Sequence, residues 1–327
     1  MKKLATILFA ALIAFGLGGC SDKPGNPTPD SAFANKNQDI RIFTVVNPDG
    51  KITGATIEQA FADTGFLIDG NNDMNKPFQQ RFGGTHYAVY RLATVHDPDL
   101  TANLIKQNPM FGLLAPLSLS IWQDKTGNMN ISSLSLRGMS RMTGIPADNP
   151  KLIALADKIE KALRAALPGG HFKTIGYQKV ADPSKPLAVT FQTEFHTGGD
   201  ATLLDAKDDF EAEFEGEMEP IGFLFPGFID INEELKERGN NDFDFYDTYS
   251  VCKLDVIYPI HKLHPEVGAF APCTFYIYKK KGNATVHMAF PSVENWITST
   301  DIEDKASLEP LIEAENLFIE TVNGITE

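Results

Sequence analysis

Few residues in this 327-residue chain carry the chemistry of a site. There are three cysteines, Cys20, Cys252 and Cys273. Cys20 stands between an apolar run and a Pro-rich run, where a thiol serves as half of a disulfide, a core residue or a covalent handle. Cys252 and Cys273 offer either a disulfide or two reduced core thiols. His261 and His264, at i and i+3 in HKLH, could supply two metal ligands from a helix. No third ligand is obvious nearby and prolines flank the pair, so ordinary polar histidines are expected and no metal is assigned. Asp69-Gly-Asn-Asn-Asp73 has the opening of a calcium loop, but Met74 stands where glycine is needed and Gln80 where glutamate is needed. Asp73 is instead expected to cap the segment that follows it, as Asp230 would. Arg91 and Lys253, each on one strand face with a tyrosine (Tyr87 and Tyr249), could line a groove for an anionic or amphiphilic ligand; a plain solvent face is the alternative. No G-x-S-x-G, H-E-x-x-H, C-x-x-C or phosphate-loop pattern occurs. The expectation therefore leans away from an enzyme, and no cofactor is assigned.

The elements that would position these residues begin after a leader. Lys2 and Lys3 precede LATILFAALIAFGL, an uncharged stretch too short for a comfortable membrane span. The stretch Leu17-Gly18-Gly19-Cys20 resembles the lipobox of bacterial lipoproteins. That resemblance implies cleavage before Cys20 and diacylglycerol on its thiol, with two or three acyl chains giving a stable anchor. Residues 21–38, rich in Pro, Asn, Asp and Ser, cannot build a core and read as a flexible tether. Ser21 after the cysteine favours the outer membrane by analogy, so the expected location is the bacterial cell envelope, facing the periplasm. Export meets oxidising conditions. A Cys252–Cys273 disulfide is therefore expected, closing a loop of about 20 residues and stabilising by roughly 3 kcal/mol.

The formal charge is −14 and the charged fraction 22%. A surface this acidic is repelled by nucleic acid. No apolar run after residue 17 is long enough to span a bilayer.

The chain repeats itself, a signal that decides the fold. NPMFGLLAPLSLSIWQDK (108–125) matches HPEVGAFAPCTFYIYKKK (264–281) at Pro109/Pro265, Gly112/Gly268, Ala115/Ala271 and Pro116/Pro272. Upstream, the block at Tyr87 is aligned with that at Tyr249, which pairs Arg91 with Lys253. DMNKPFQQR (73–81) matches DINEELKER (230–238), and Gly65-Phe66 matches Gly222-Phe223. Each half reads as an opening strand, an amphipathic helix, two strands, a Gly-Asn hairpin turn into a further strand, and a closing helix. On this alignment Cys252 and Cys273 both point to the apolar face of neighbouring strands. The run 205–219 is a solvated acidic helix whose Phe210 and Phe214 share a face, or a docking surface for a basic partner.

These blocks resemble domain-of-unknown-function family 302 in two copies. The resemblance implies a β-α-β(4)-α layout with helices on a curved antiparallel sheet, the copies related by a pseudo-twofold as a dimer built in one chain. The expected fold class is thus α+β. The boundaries are a leader at 1–19, the tether at 20–38, repeats at 39–170 and 187–327, and a linker at 171–186. The expected function is a non-catalytic, membrane-anchored module binding a small molecule or lipid between sheet and helices or between the halves. A protein-interaction or structural envelope component is the alternative, and an unrecognised hydrolase or redox enzyme a third reading.

Overall fold

The computed structural model describes residues 37–177, 180–195 and 202–326. The leader, Cys20 and most of the tether lie outside the described residues.

The first half runs β1 (Ile40–Val46), α1 (Gly54–Asp63), β2 (Leu67–Asp73), α2 (Asn75–Phe82), β3 (Tyr90–His96), α3 (Pro98–Gln107), a 3-10 turn (Pro109–Leu114), β4 (Leu117–Gln123), β5 (Asn128–Leu134), α4 (Leu136–Thr143), α5 (Pro150–Ala166) and β6 (His171–Phe172). The second half runs β7 (Ala188–Glu194), α6 (Leu203–Met218), β8 (Leu224–Asp230), α7 (Ile231–Glu237), β9 (Phe243–Cys252), α8 (Leu254–Ile260), a 3-10 turn (Pro265–Phe270), β10 (Cys273–Lys280), β11 (Thr285–Pro291), α9 (Glu294–Thr300) and α10 (Lys305–Thr326). The first sheet has the order β2-β3-β4-β5-β1-β6 and the second β7-β11-β10-β9-β8, with all pairs antiparallel. His171–Phe172, in the segment read as a linker, pairs with β1. Among the described residues, no helix is long and apolar enough to cross a membrane.

Local chemistry sets the helix starts. Thr53 and Thr202 form capping boxes on α1 and α6. Asp97 caps α3, where Pro98 sits in the first turn and loses no helical hydrogen bond. The apolar stripe of α5, including Leu152, Leu155, Ile159 and Leu163, is buried. In the second half Phe318 of α10 and Phe214 of α6 meet Phe275 of β10 at centroid distances of 5.6 and 4.7 Å.

The central strands of each sheet, β3, β4 and β5 in the first and β9 and β10 in the second, are buried on both faces. One face carries the helices of its own half; the other receives the 3-10 turn of the opposite half. The contacts across this interface are reciprocal. Ser118 Oγ donates to the Pro272 carbonyl at 2.7 Å, and Thr274 Oγ1 donates to the Pro116 carbonyl at 3.1 Å. Tyr90 Oη donates to the Pro265 carbonyl at 3.3 Å, and Tyr246 Oη to the Pro109 carbonyl at 2.5 Å. Gly112 and Gly268 permit this approach. A Cβ at Gly268 would sit 2.6 Å from Ser120 Cβ, and one at Gly112 would run into Tyr246 Oη. The pseudo-twofold therefore exchanges the two Pro-x-x-Gly turns.

Two expectations are corrected here. The twofold pairs Tyr90 with Tyr246, Arg91 with Asp247, His96 with Cys252 and Asp97 with Lys253, as the strand registers require. The sequence alignment that paired Arg91 with Lys253 is displaced by an even number of residues, which alternation alone cannot detect. The disulfide is also absent: Cys252 and Cys273 are both free thiols. Cys273 pairs across the strands with Val251, so Cys252 leaves the sheet from the opposite face. Because both faces are buried, an apolar environment did not identify a common side.

Candidate functional site

The pseudo-twofold creates two junctions between the halves, where edge strands β2 and β8 and short helices α2 and α7 meet the opposite half. Their framework is the same. Leu67 pairs with His96 at one, and Leu224 with Cys252 at the other. At the first, Arg238 Nε lies 2.7 Å from Asp99 Oδ1; at the second, Arg81 Nε lies 3.0 Å from Asp255 Oδ1. These two ion pairs are twofold mates.

Inside that framework the junctions differ. At the first, the buried ring of His96 lies between two carboxylates from different halves. Nδ1 is 2.8 Å from Asp69 Oδ2, and Nε2 is 3.0 Å from Glu234 Oε1. Burial opposes charge on the ring, but hydrogen bonds and Coulomb attraction from Asp69 and Glu234 outweigh it and raise the imidazole to about 9. The ring is an imidazolium at neutral pH and latches the halves together. Asp69, read as part of an incipient calcium loop, is thus a partner of His96.

At the second junction the mates of His96, Asp69 and Glu234 are Cys252, Pro226 and Pro77. None carries a charge, and a groove of about 580 Å3 stands beside all three. Asn71, Asn72, Asp73, Lys76 and Arg91 of the first half line it opposite Leu224, Leu254 and Pro272 of the second. Arg91 donates from Nε to Asn71 Oδ1 at 2.8 Å and from its terminal nitrogen to the Asn71 carbonyl, both uncharged acceptors. Asp73 Oδ1 accepts from Asn75 N at 3.1 Å, and Asp230 Oδ1 from Glu233 N at 3.1 Å, so both aspartates hold the starts of helices.

Behind Cys252 lies a second space. A cavity of about 60 Å3 separates β9 and β10 from α10. Its walls are mostly apolar, with Val251, Phe275, Phe290, Trp296 and Phe318 among them, and Cys252, Cys273, Lys253 and Glu315 also line it. Burial pushes both thiols up to about 12, so they stay protonated. The buried Glu315 carboxylate accepts from Val293 N at 3.0 Å. Cys252 borders both the cavity and the groove.

The four residues expected to line one groove are not brought together. Arg91 borders the junction groove. Lys253 borders the cavity, with its ammonium donating to the Ile221 carbonyl and standing 4.9 Å from the Phe223 ring centre. Tyr249 is buried, its ring 5.8 Å from Phe214 and 5.0 Å from Phe228. Tyr87 donates to the Lys262 carbonyl at 3.2 Å, in a separate cleft.

The two histidines of HKLH also diverge. His261 is fully buried, 4.4 Å from the Tyr90 ring and 4.7 Å from Phe78. Burial lowers it to about 4, and the neutral ring donates from Nδ1 to the Ile257 carbonyl at 3.0 Å. His264 faces Glu266 and Asp304 at 3.7 and 3.6 Å. Among the described residues, no group of three or more His, Cys, Asp or Glu side chains could hold a metal ion.

Sequence reasoning missed the Asp69–His96–Glu234 trio, whose members belong to different halves. It also missed Lys207, which turns inward from the acidic helix to lie 2.8 Å from Asp247 Oδ2 and 3.1 Å from Glu211 Oε2. Burial lifts the Asp247 carboxyl to about 7, against the attraction of Lys207.

The fold and its two junctions define a tandem α+β protein whose halves form an intramolecular pseudo-dimer. The chain belongs to the DUF302 family, domain of unknown function DUF302, whose model matches residues 43–168 and 203–314. No curated protein matches. Three solved chains do. One is the crystal structure of uncharacterized conserved protein DUF302 from Bacillus stearothermophilus, 19% identical, covering 43% of this chain and 98% of that one with a TM-score of 0.35.

Proposed function

We propose that this protein is a tethered, non-catalytic binding module of the bacterial cell envelope. Cys20 carries the lipid that holds it at the outer membrane facing the periplasm, and the open junction receives a small amphiphilic or anionic molecule. One observation carries this reading: where the twofold mate is filled by a charged trio, this junction has Cys252, Pro226 and Pro77 beside a groove of about 580 Å3. Ligand pockets typically span about 300–1,000 Å3 and combine apolar walls with a few polar groups. Leu224, Leu254 and Pro272 supply the former, and Asn71, Lys76 and Arg91 the latter.

The test is native mass spectrometry of the chain from Ser21 onward, exported to the periplasm. A mass adduct lost on denaturation is expected. A triple variant, P77E/P226D/C252H, installs the opposite junction's trio in the groove and should return a bare mass with an unchanged circular dichroism spectrum. A bare mass for the parent protein, or an adduct undiminished in the triple variant, refutes the reading.

The acidic helix supports a second reading, an electrostatic contact with a basic protein. Phe210, Phe214 and Met218 of α6 are buried and Lys207 faces inward, leaving Asp208, Asp209, Glu213 and Glu217 exposed. A partner captured at low salt and released when these four acids are neutralised would favour it.

A further inference from the structure

We propose that the occupant of the open junction is a small amphiphilic carboxylate, held wholly within the groove with its charge toward the first half and its apolar body against the second. This names the ligand class of the binding reading above and rests on it. The two halves give the groove unlike walls. Every charged or amide side chain that lines it, from Asn71 to Arg91, belongs to the first half. The second half contributes Leu224, Pro226, Cys252, Leu254 and Pro272, an apolar wall. A molecule between them meets polar groups on one side and hydrocarbon on the other.

Charge selects the head. Lys76 and Arg91 stand against one carboxylate, Asp73, which leaves one net positive charge. Lys76 is exposed, and neither cation forms an ion pair among the described residues. Arg91 has only the amide acceptors of Asn71, so both cations keep their charge for an incoming anion. One net charge matches a carboxylate, whereas a phosphate monoester carries about two at neutral pH. The framework common to both junctions does not need these cations. At the latched junction the twofold mates of Lys76 and Arg91 are Glu233 and Asp247, both acids. The cationic wall belongs to the open junction.

The experiment uses the whole chain in phosphatidylcholine nanodiscs and hexanoate carrying a terminal trifluoromethyl group, read by fluorine NMR line broadening against empty nanodiscs. Saturable broadening is expected. K76E should weaken binding about tenfold, the loss of one charge-assisted contact, and K76R should retain it. P77E/P226D/C252H, which fills the groove, should abolish it. Unlabelled acetate, which lacks about four methylenes, should compete at least about tenfold less well than hexanoate. Hexylammonium and hexanol should not compete, and hexyl phosphate should compete no better than hexanoate. Binding unchanged in K76E or in the triple variant places the probe elsewhere and overturns the inference. Equal competition by hexylammonium or hexanol overturns the charge assignment. Equal competition by acetate overturns the apolar wall, and much stronger competition by hexyl phosphate overturns the carboxylate. Loss of binding in phosphatidylglycerol nanodiscs identifies a lipid headgroup as occupant and overturns the small free ligand. A native adduct on the parent protein together with no broadening leaves the binding reading standing and removes only this inference.

Discussion

The two junctions between the halves share a backbone and an outer ion pair, yet they have opposite interiors. At one, His96 bridges Asp69 and Glu234 across the halves. At the other, Cys252, Pro226 and Pro77 line an open groove. The difference extends to the flanking helices. Beside the open junction Phe82 stacks on Tyr258 at 4.0 Å and Phe78 on His261 at 4.7 Å. The twofold mates beside the latch include the buried aliphatic residues Leu235, Ala102 and Ile105. A symmetric dimer of identical chains must present the same residues at both junctions. Covalent linkage of two unlike copies removes that constraint, so one junction can hold the halves together while the other stays open.

The largest test of this division is His96→Ala. It leaves two carboxylates facing each other without a cation and should cost about 4 kcal/mol in urea unfolding, within the range for breaking a buried ion pair. Cys252→Ala at the mate position should cost far less. Equal losses would mean that the latch has no special role.

The pH dependence follows from the same ring. The folded value of His96, about 9, lies above an unfolded imidazole near 6.5. Its stabilisation is therefore complete below about pH 6.5 and is lost as pH rises through about 9. The loss should reach about 3.5 kcal/mol at about 1.4 kcal/mol per unit. In an H96A background this part of the stability–pH curve should flatten. A wild-type curve equally flat between pH 7 and 10 would contradict the imidazolium.

Smaller effects are expected where the halves remain symmetric. Gly112→Ala and Gly268→Ala each force a Cβ into the opposite sheet and should cost about 2 kcal/mol, the range of core overpacking. Y246F should partly relieve G112A, because Tyr246 Oη is the atom it meets, and should leave G268A unrelieved. The outer ion pairs should matter least. Arg81 and Asp255 are about half exposed, so Arg81→Ala should cost under about 1 kcal/mol, as should Arg238→Ala. A much larger loss at either position would shift the mechanical role from the latch to the outer ring.

Much of the fold is legible in the residues themselves. The Pro-x-x-Gly-x-x-Ala-Pro blocks, the Gly-Phe turns and the closing helices carry the repeat, and the repeat carries the pseudo-dimer. Capping residues such as Thr53, Asp97 and Thr202 mark helix starts because their side chains satisfy backbone N–H groups within a few residues. All of these are local signals. The registration of β3 on β9 was not legible, because a period of two is unchanged by an even slip and β9 (Phe243–Cys252) is longer than β3 (Tyr90–His96). From that one displacement came the pairing of Arg91 with Lys253, whereas Arg91 is the mate of Asp247 and Lys253 that of Asp97.

What the sequence determined by itself is the duplicated α+β plan and the acidity of the chain, since each rests on composition or on blocks of residues repeated in the same order. Only the tertiary structure decided that the central strands are buried on both faces and set the register that turns the Cys252 and Cys273 side chains to opposite faces of their sheet. It alone joined Asp69, His96 and Glu234 at one junction and opened its mate beside Cys252. Those arrangements depend on which residues the pseudo-twofold brings face to face. Neighbours made by packing two halves leave no fixed spacing along the chain.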